Sequence, residues 1–145
     1  MPDHVDLTRF TKAHKRSYKT ALEEIRLGKK QTHWMWYIFP QIHGLGHSET
    51  AIFYSIRNLA EAKAFLSDPY LGNNLTEISH ALLTLKTDNP FAVFGSTDAK
   101  KLLSSMTLFT YISENGSVFH RVLDKYYGGK QDIHTLTILQ DEQKG

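Results

Sequence analysis

The chain has 145 residues and a mass of 16.6 kDa, the size of one domain, and its 41% hydrophobic and 22% charged residues describe a globular protein with a core of its own. It holds no cysteine, which excludes a disulfide scaffold, a Cys-ligated zinc or iron–sulfur site and a thiol nucleophile. The net charge is only +2, with a basic excess gathered in Lys12, Lys15, Arg16, Lys19, Arg26, Lys29 and Lys30, so a solvated helix face is expected rather than a nucleic-acid footprint.

Leu7, Phe10, His14, Tyr18, Leu22 and Ile25 recur at spacings of three and four, one stripe of a helix that Gly28 is placed to end. The aromatic block from Thr32 to Gln41 reads as a buried turn or two of helix that stops at Pro40 and runs into the loop Gly44-Leu45-Gly46. Ser48 then caps a helix through Ala51, Ile52, Tyr54 and Ile56. Asn58 with Glu61 forms a capping box for a helix through Leu66. Asp68-Pro69 opens the next helix, to about Leu85, on the stripe Leu71, Leu75, Ile78, Leu82. Asn89-Pro90 breaks it, and Phe91 to Gly95 reads as a short buried connector. Ser96 or Thr97 caps a helix from Asp98 to about Ser113, Ser117 one over Val118 to Tyr127 that Gly128-Gly129 ends, and Asp132 a last one through Leu139. No segment alternates with period two. The expectation is all-α: a single helical domain over 1–145, a bundle of about six to eight short helices, with Phe39, Ile52, Leu82, Met106 and Phe109 in its core.

Candidate chemistry concentrates between Thr32 and Ser48, which hold both tryptophans and three histidines. Gly44 and Gly46 let backbone amides converge before a helix start, an arrangement that suits phosphate or carboxylate, although the spacing fits neither a Walker nor a dinucleotide fingerprint, and a tight turn with a Ser cap explains it as well. Trp34 and Trp36 would point about 200° apart on a helix, so the two do not line one pocket; one in the core with the other stacking on a ligand is one reading, and both in the core is the plainer one. His33, His43 and His47 have loose metal-ligand spacing, but no carboxylate set completes it, and no metal is expected. His47, in the loop itself, is the candidate general acid or base. Ser105, one helical turn after Lys101, gives a Ser–Lys pair that suggests a nucleophile; close helix packing is the plainer use of Ser104-Ser105-Met106-Thr107. Lys101 suits a phosphate contact, with Lys30 as a second cation. The candidate set is therefore His47 and Ser105 for catalysis, with His33, Trp34, Trp36, Gln41, Gly44, Gly46, Ser48, Lys101 and Ser104 for a ligand.

The tryptophan-rich block, read with Lys29-Lys30 before it, resembles the signature of domain-of-unknown-function family 1810, small bacterial and fungal proteins of which some carry a calpastatin-like label. The resemblance continues through Asn58 to Ala62, Pro69 to Gly72, Phe94-Gly95, Asp98 to Lys101, Ser104 to Phe109 and Asp132 to Leu136, nearly the whole chain in order. It implies a single, mainly helical domain and supplies no activity. The calpastatin label carries nothing here, because a calpain inhibitor is a disordered repeat protein and this sequence is neither. Two functions remain open on the residues: a ligand-binding domain, with or without catalysis, for a small phosphorylated or nucleotide-like molecule, and a protein-interaction or structural module without activity. No cofactor or protein partner is indicated. With no apolar run near the ~20 residues that span a bilayer and no apolar leader at its start, a cytoplasmic protein with no membrane partner is expected.

Overall fold

The structure is a computed structural model, and residues 5–144 are described. Eight helices follow one another among them: α1 Thr8–Arg26, α2 Met35–Ile38, α3 Glu49–Phe53, α4 Leu59–Ser67, α5 Pro69–Thr84, α6 Pro90–Tyr111, α7 Val118–Tyr127 and α8 Ile133–Lys144. The all-α expectation is met. Strand pairing among the described residues is limited to one parallel bridge between Ile42 and Ile56. No helix among them is long and apolar enough to cross a membrane.

The caps act where their chemistry puts them. Ser48 accepts the N–H of Ala51, Asn58 that of Glu61, Asp68 those of Tyr70 and Leu71, and Ser117 that of His120. Each satisfies an amide the first helical turn leaves open. Gly28, at φ 87°, ends α1 by returning its own N–H to Ile25 and that of Lys29 to Glu24. Two expectations need correction. Phe91 to Phe94 is no buried connector but the first turn of α6, with Phe91 57% exposed, because Asn89-Pro90 caps and starts a helix as Asp68-Pro69 does; Gly95, at φ 79° and ψ 170°, then kinks α6. The helix after Ser48 stops at Phe53, and Ile56 is drawn instead into the bridge, its N–H donating to Gln41 O while His43 donates back to Ile56 O. In consequence α3 buries none of its residues, and Ile52, expected in the core, is 48% exposed.

Helix α5 packs against α1, α4 and α7, and α6 lies against α4, α7 and α8. Phe109 of α6 sits between Phe65 and Phe119 at ring distances of 5.7 Å each, and Leu82, Met106 and Phe39 are buried with it as expected. The turn between α4 and α5 closes so tightly at Gly72 that a Cβ there would stand 2.0 Å from the carbonyl oxygen of Leu66. Two buried polar groups tie the helices. Arg9 of α1 pairs with Glu61 of α4 at 2.6 Å and donates to the carbonyls of Phe53 and Ser55, while Glu61 also accepts the N–H of Arg57. His14, 1% exposed, donates from Nε2 to the carbonyl of Tyr37 and accepts at Nδ1 from the Asn74 amide. Burial lowers its pKa from 6.5 to about 4, against the opposing pull of the Tyr37 carbonyl and the charge of Asp68.

Candidate functional site

The aromatic block is organised by a carboxylate from the helix before it. Glu24, near the end of α1, accepts the N–H groups of Gln31 and Thr32, the Thr32 hydroxyl and the indole N–H of Trp34. Burial alone would raise its pKa; the four donors outweigh burial and hold the carboxyl near 2. Trp34 is thereby sealed in the core, 1% exposed, with its ring against Phe39 and Phe94. That corrects the ligand-binding expectation for Trp34: a ring closed in on its faces and hydrogen-bonded at its only polar atom has nothing left to offer a ligand.

Lys30 is also committed. Its ammonium lies 2.9 Å from Asp98, donates to Thr32 O and covers the Trp34 ring at 5.0 Å. With the N–H of Lys30 bonded to Val93 O, it fastens the block to the start of α6. Asp98 holds a second lysine at 3.6 Å, Lys101, whose ammonium stands 5.1 Å over the ring of Trp36. Two residues after Trp34, Trp36 turns the other way and is only half-buried.

A groove opens beside this pair. Its floor is the α6 face carrying Thr97, Lys100, Lys101 and Ser104, residues three and four apart and so on one side of the helix. Gln41, Leu45 and Gly46 form one wall, and Asp132 and His134 at the start of α8 the other, around a volume of about 360 Å³. That lies in the range of small-molecule sites. Ser104 donates to Lys100 O and to the Asp132 carboxylate, which also accepts the N–H and hydroxyl of Thr135. Lys100 is exposed and makes no ion pair among the described residues. At the inner end Gln41 and Lys101 also line a much smaller space, about 10 Å³, walled by Trp36 and Phe39 and closed by Ala51 and Tyr54. It has room for about one water molecule.

Of the sequence candidates, Gln41, Gly46, Lys101 and Ser104 line the groove, and Trp36 lines the small space at its end. Gly46 owes its identity to packing: a Cβ would sit 2.6 Å from that of Ala51 and 3.4 Å from the Gln41 amide. Gly44, at φ 109°, faces a neighbouring depression with Leu45 and His134. Ser48 is spent as the α3 cap, while the N–H groups of Gly46, His47, Ser48 and Glu49 find no internal acceptor among the described residues. His33 and His47 are exposed and line neither space, so His47 is not brought to the groove as an acid or base. Ser105 is corrected outright. It is 0% exposed, its hydroxyl has no partner, and Lys101 points away toward Asp98 and Trp36, so no Ser–Lys nucleophile is formed. No group of three His, Asp or Glu is arranged to hold a metal ion among the described residues.

Sequence reasoning passed over Thr97, Lys100, Tyr54, Asp132 and His134. The signal for the first two was present: polar residues at 97, 100, 101 and 104 trace a hydrophilic strip along one side of the helix. His134 and Tyr54 join the site only through tertiary packing.

The chain belongs to the family described as "Protein of unknown function (DUF1810)", whose model matches residues 4–139. Its fold is similar to the crystal structure of the conserved hypothetical protein Rv1873 from Mycobacterium tuberculosis, at 40% identity and a TM-score of 0.92 over 95% of this chain and 99% of that one. No curated protein matches it in sequence.

Proposed function

We propose that the chain is a binding domain for a small phosphorylated or nucleotide-like molecule, held in the groove between the Gln41–Gly46 loop, α6 and the start of α8. The observation that carries this reading is the gathering of Lys100, Lys101, Ser104, Gln41 and Gly46 from distant segments around one open space, with Trp36 at its inner end. Lys100 makes no ion pair among the described residues, and Lys101 shares Asp98 with Lys30. An anion would therefore be drawn to this end of the groove and gain charge-assisted hydrogen bonds. The reading is one of binding rather than catalysis, since Ser105 is sealed in the core and His47 lies outside the groove. A cytoplasmic setting goes with such a ligand.

The test is a thermal-shift screen of phosphate, pyrophosphate, sugar phosphates and nucleotides. A ligand at 100 times its Kd adds about 2.7 kcal/mol, an upward shift of several degrees in Tm. That shift should vanish in the Lys100→Ala/Lys101→Ala double variant. No stabilisation by any of these compounds refutes the reading. The interaction-module alternative rests on one observation, the adjacent exposed side chains of Ile52 and Phe53, and takes the lead in that event.

A further inference from the structure

We infer that the occupant of the groove carries a planar ring as well as a phosphate, with the ring entering beneath α3 to stack on Trp36 while the phosphate stays outside on Lys100 and Lys101. This rests on the binding reading above and narrows it from phosphorylated molecules in general to the nucleotide class.

The two spaces are neighbours that share part of their lining. The outer groove carries Lys100, Lys101, Ser104 and Asp132, whereas most of the side chains around the inner one are aromatic or apolar, Trp36 and Tyr54 among them. Gln41 and Lys101 line both, so a ligand passing from one to the other meets an amide and an ammonium at the junction. The Lys101 ammonium lies over the Trp36 ring, 5.1 Å from its centre, so a ring stacking on that face turns the ammonium outward, toward the phosphate. A sugar phosphate would leave the inner walls unused.

At about 10 Å³ the inner space is too small for a ring unless its cover moves, and the cover is unevenly held. The cover is Ala51 and Tyr54, on and just after α3. At its far end Arg9 bonds the carbonyls of Phe53 and Ser55, and Tyr54 packs on Tyr37 at 5.0 Å. At its near end α3 buries no residue, and the amides from Gly46 to Glu49 have no acceptor among the described residues. The segment is thus pinned at 53–55 and held more lightly at 46–51, so lifting the near end moves Ala51 off the space at the cost of its packing against Gly46. Local openings of this kind fall to segments with few buried contacts and unpaired amides.

The experiment compares AMP, GMP, CMP and UMP with ribose 5-phosphate by calorimetric titration, and follows tryptophan fluorescence in the same samples. Stacking tolerates any base, so at least one nucleotide should bind about tenfold or more tightly than ribose 5-phosphate. It should also quench fluorescence, and Trp36→Leu should remove both the preference and the quenching. Trp34, buried and hydrogen-bonded to Glu24, contributes a constant background. Lys100→Ala should weaken nucleotide and sugar phosphate alike. Equal affinity for both with unchanged fluorescence overturns the ring and leaves the anion groove standing. Binding by none of the five compounds overturns both.

Discussion

Acid should weaken this fold first through His14. With a pKa of about 4 in the folded chain against 6.5 when free, the imidazole is kept neutral by burial while the unfolded chain protonates it readily. A folded-state pKa below the unfolded one means the stabilisation is complete above pH 6.5 and is lost as the pH falls through 6.5 toward 4. Two and a half units at 1.36 kcal/mol each bring the full loss to roughly 3 kcal/mol, a large part of the 5–15 kcal/mol that hold a typical domain. The geometry explains why the group resists: Nδ1 accepts from Asn74, so a proton there would put two donors face to face in a closed site. Glu24 cannot mimic this, because its shift from 4.5 to about 2 withdraws stability only below pH 4.5. Urea denaturation at half-unit steps from pH 7.5 to 4.5, with one m-value throughout, measures the slope. His14→Gln, able to keep a polar contact with Asn74 but not to titrate, should start less stable and show a flatter profile. A wild-type stability constant across this window, or an equal slope in the glutamine variant, refutes the argument.

Phe109→Ala should cost about 3–5 kcal/mol in urea denaturation, since the ring is fully buried between Phe65 and Phe119; a loss under about 1 kcal/mol would mean the site collapses around the smaller side chain. Gly72→Ala should destabilise by at least about 1–3 kcal/mol despite the gain in helix propensity, because the Leu66 carbonyl must shift to admit a Cβ; calorimetric melting that shows a higher Tm would contradict that geometry. Glu61→Ala should cost about 3–5 kcal/mol by leaving Arg9 buried and unpaired, and Arg9→Met in the same background should recover part of it, as read by a double-mutant cycle. Gly46→Val should unsettle the loop by collision with Ala51 whether or not a ligand is present, so its melting temperature should fall in plain buffer.

What the residues announced and what they withheld divide along a physical line. Caps are local chemistry, so Ser48, Asn58, Asp68 and Ser117 could be read from their neighbours, and each bonds the amide expected of it. Asn89-Pro90 was ambiguous for the same reason: one pair of residues both ends a helix and begins another. The choice between Trp34 and Trp36 is of a different kind. Both are aromatic, adjacent but one, and equal by any local measure; only Glu24 decides between them, by taking the Trp34 indole N–H together with the amides that shape the turn. The alternation of the block then leaves Trp36 facing outward toward Lys101. Ile52 fails as a core residue for a related reason. The bridge between Ile42 and Ile56 shortens the segment, ends its helix at Phe53 and turns the apolar side chain away from the core. Lys101 and Ser105 lie one turn apart on α6, yet the first reaches the groove and the second is sealed, because Asp98 and Trp36 draw the lysine toward the front of the helix. The tryptophan block is thus two devices in one stretch of chain, a structural half fastened by Glu24 and Lys30 and a half-exposed Trp36 that the fastening presents. A substitution at Glu24 would reach the groove without touching it, by releasing the turn that aims Trp36.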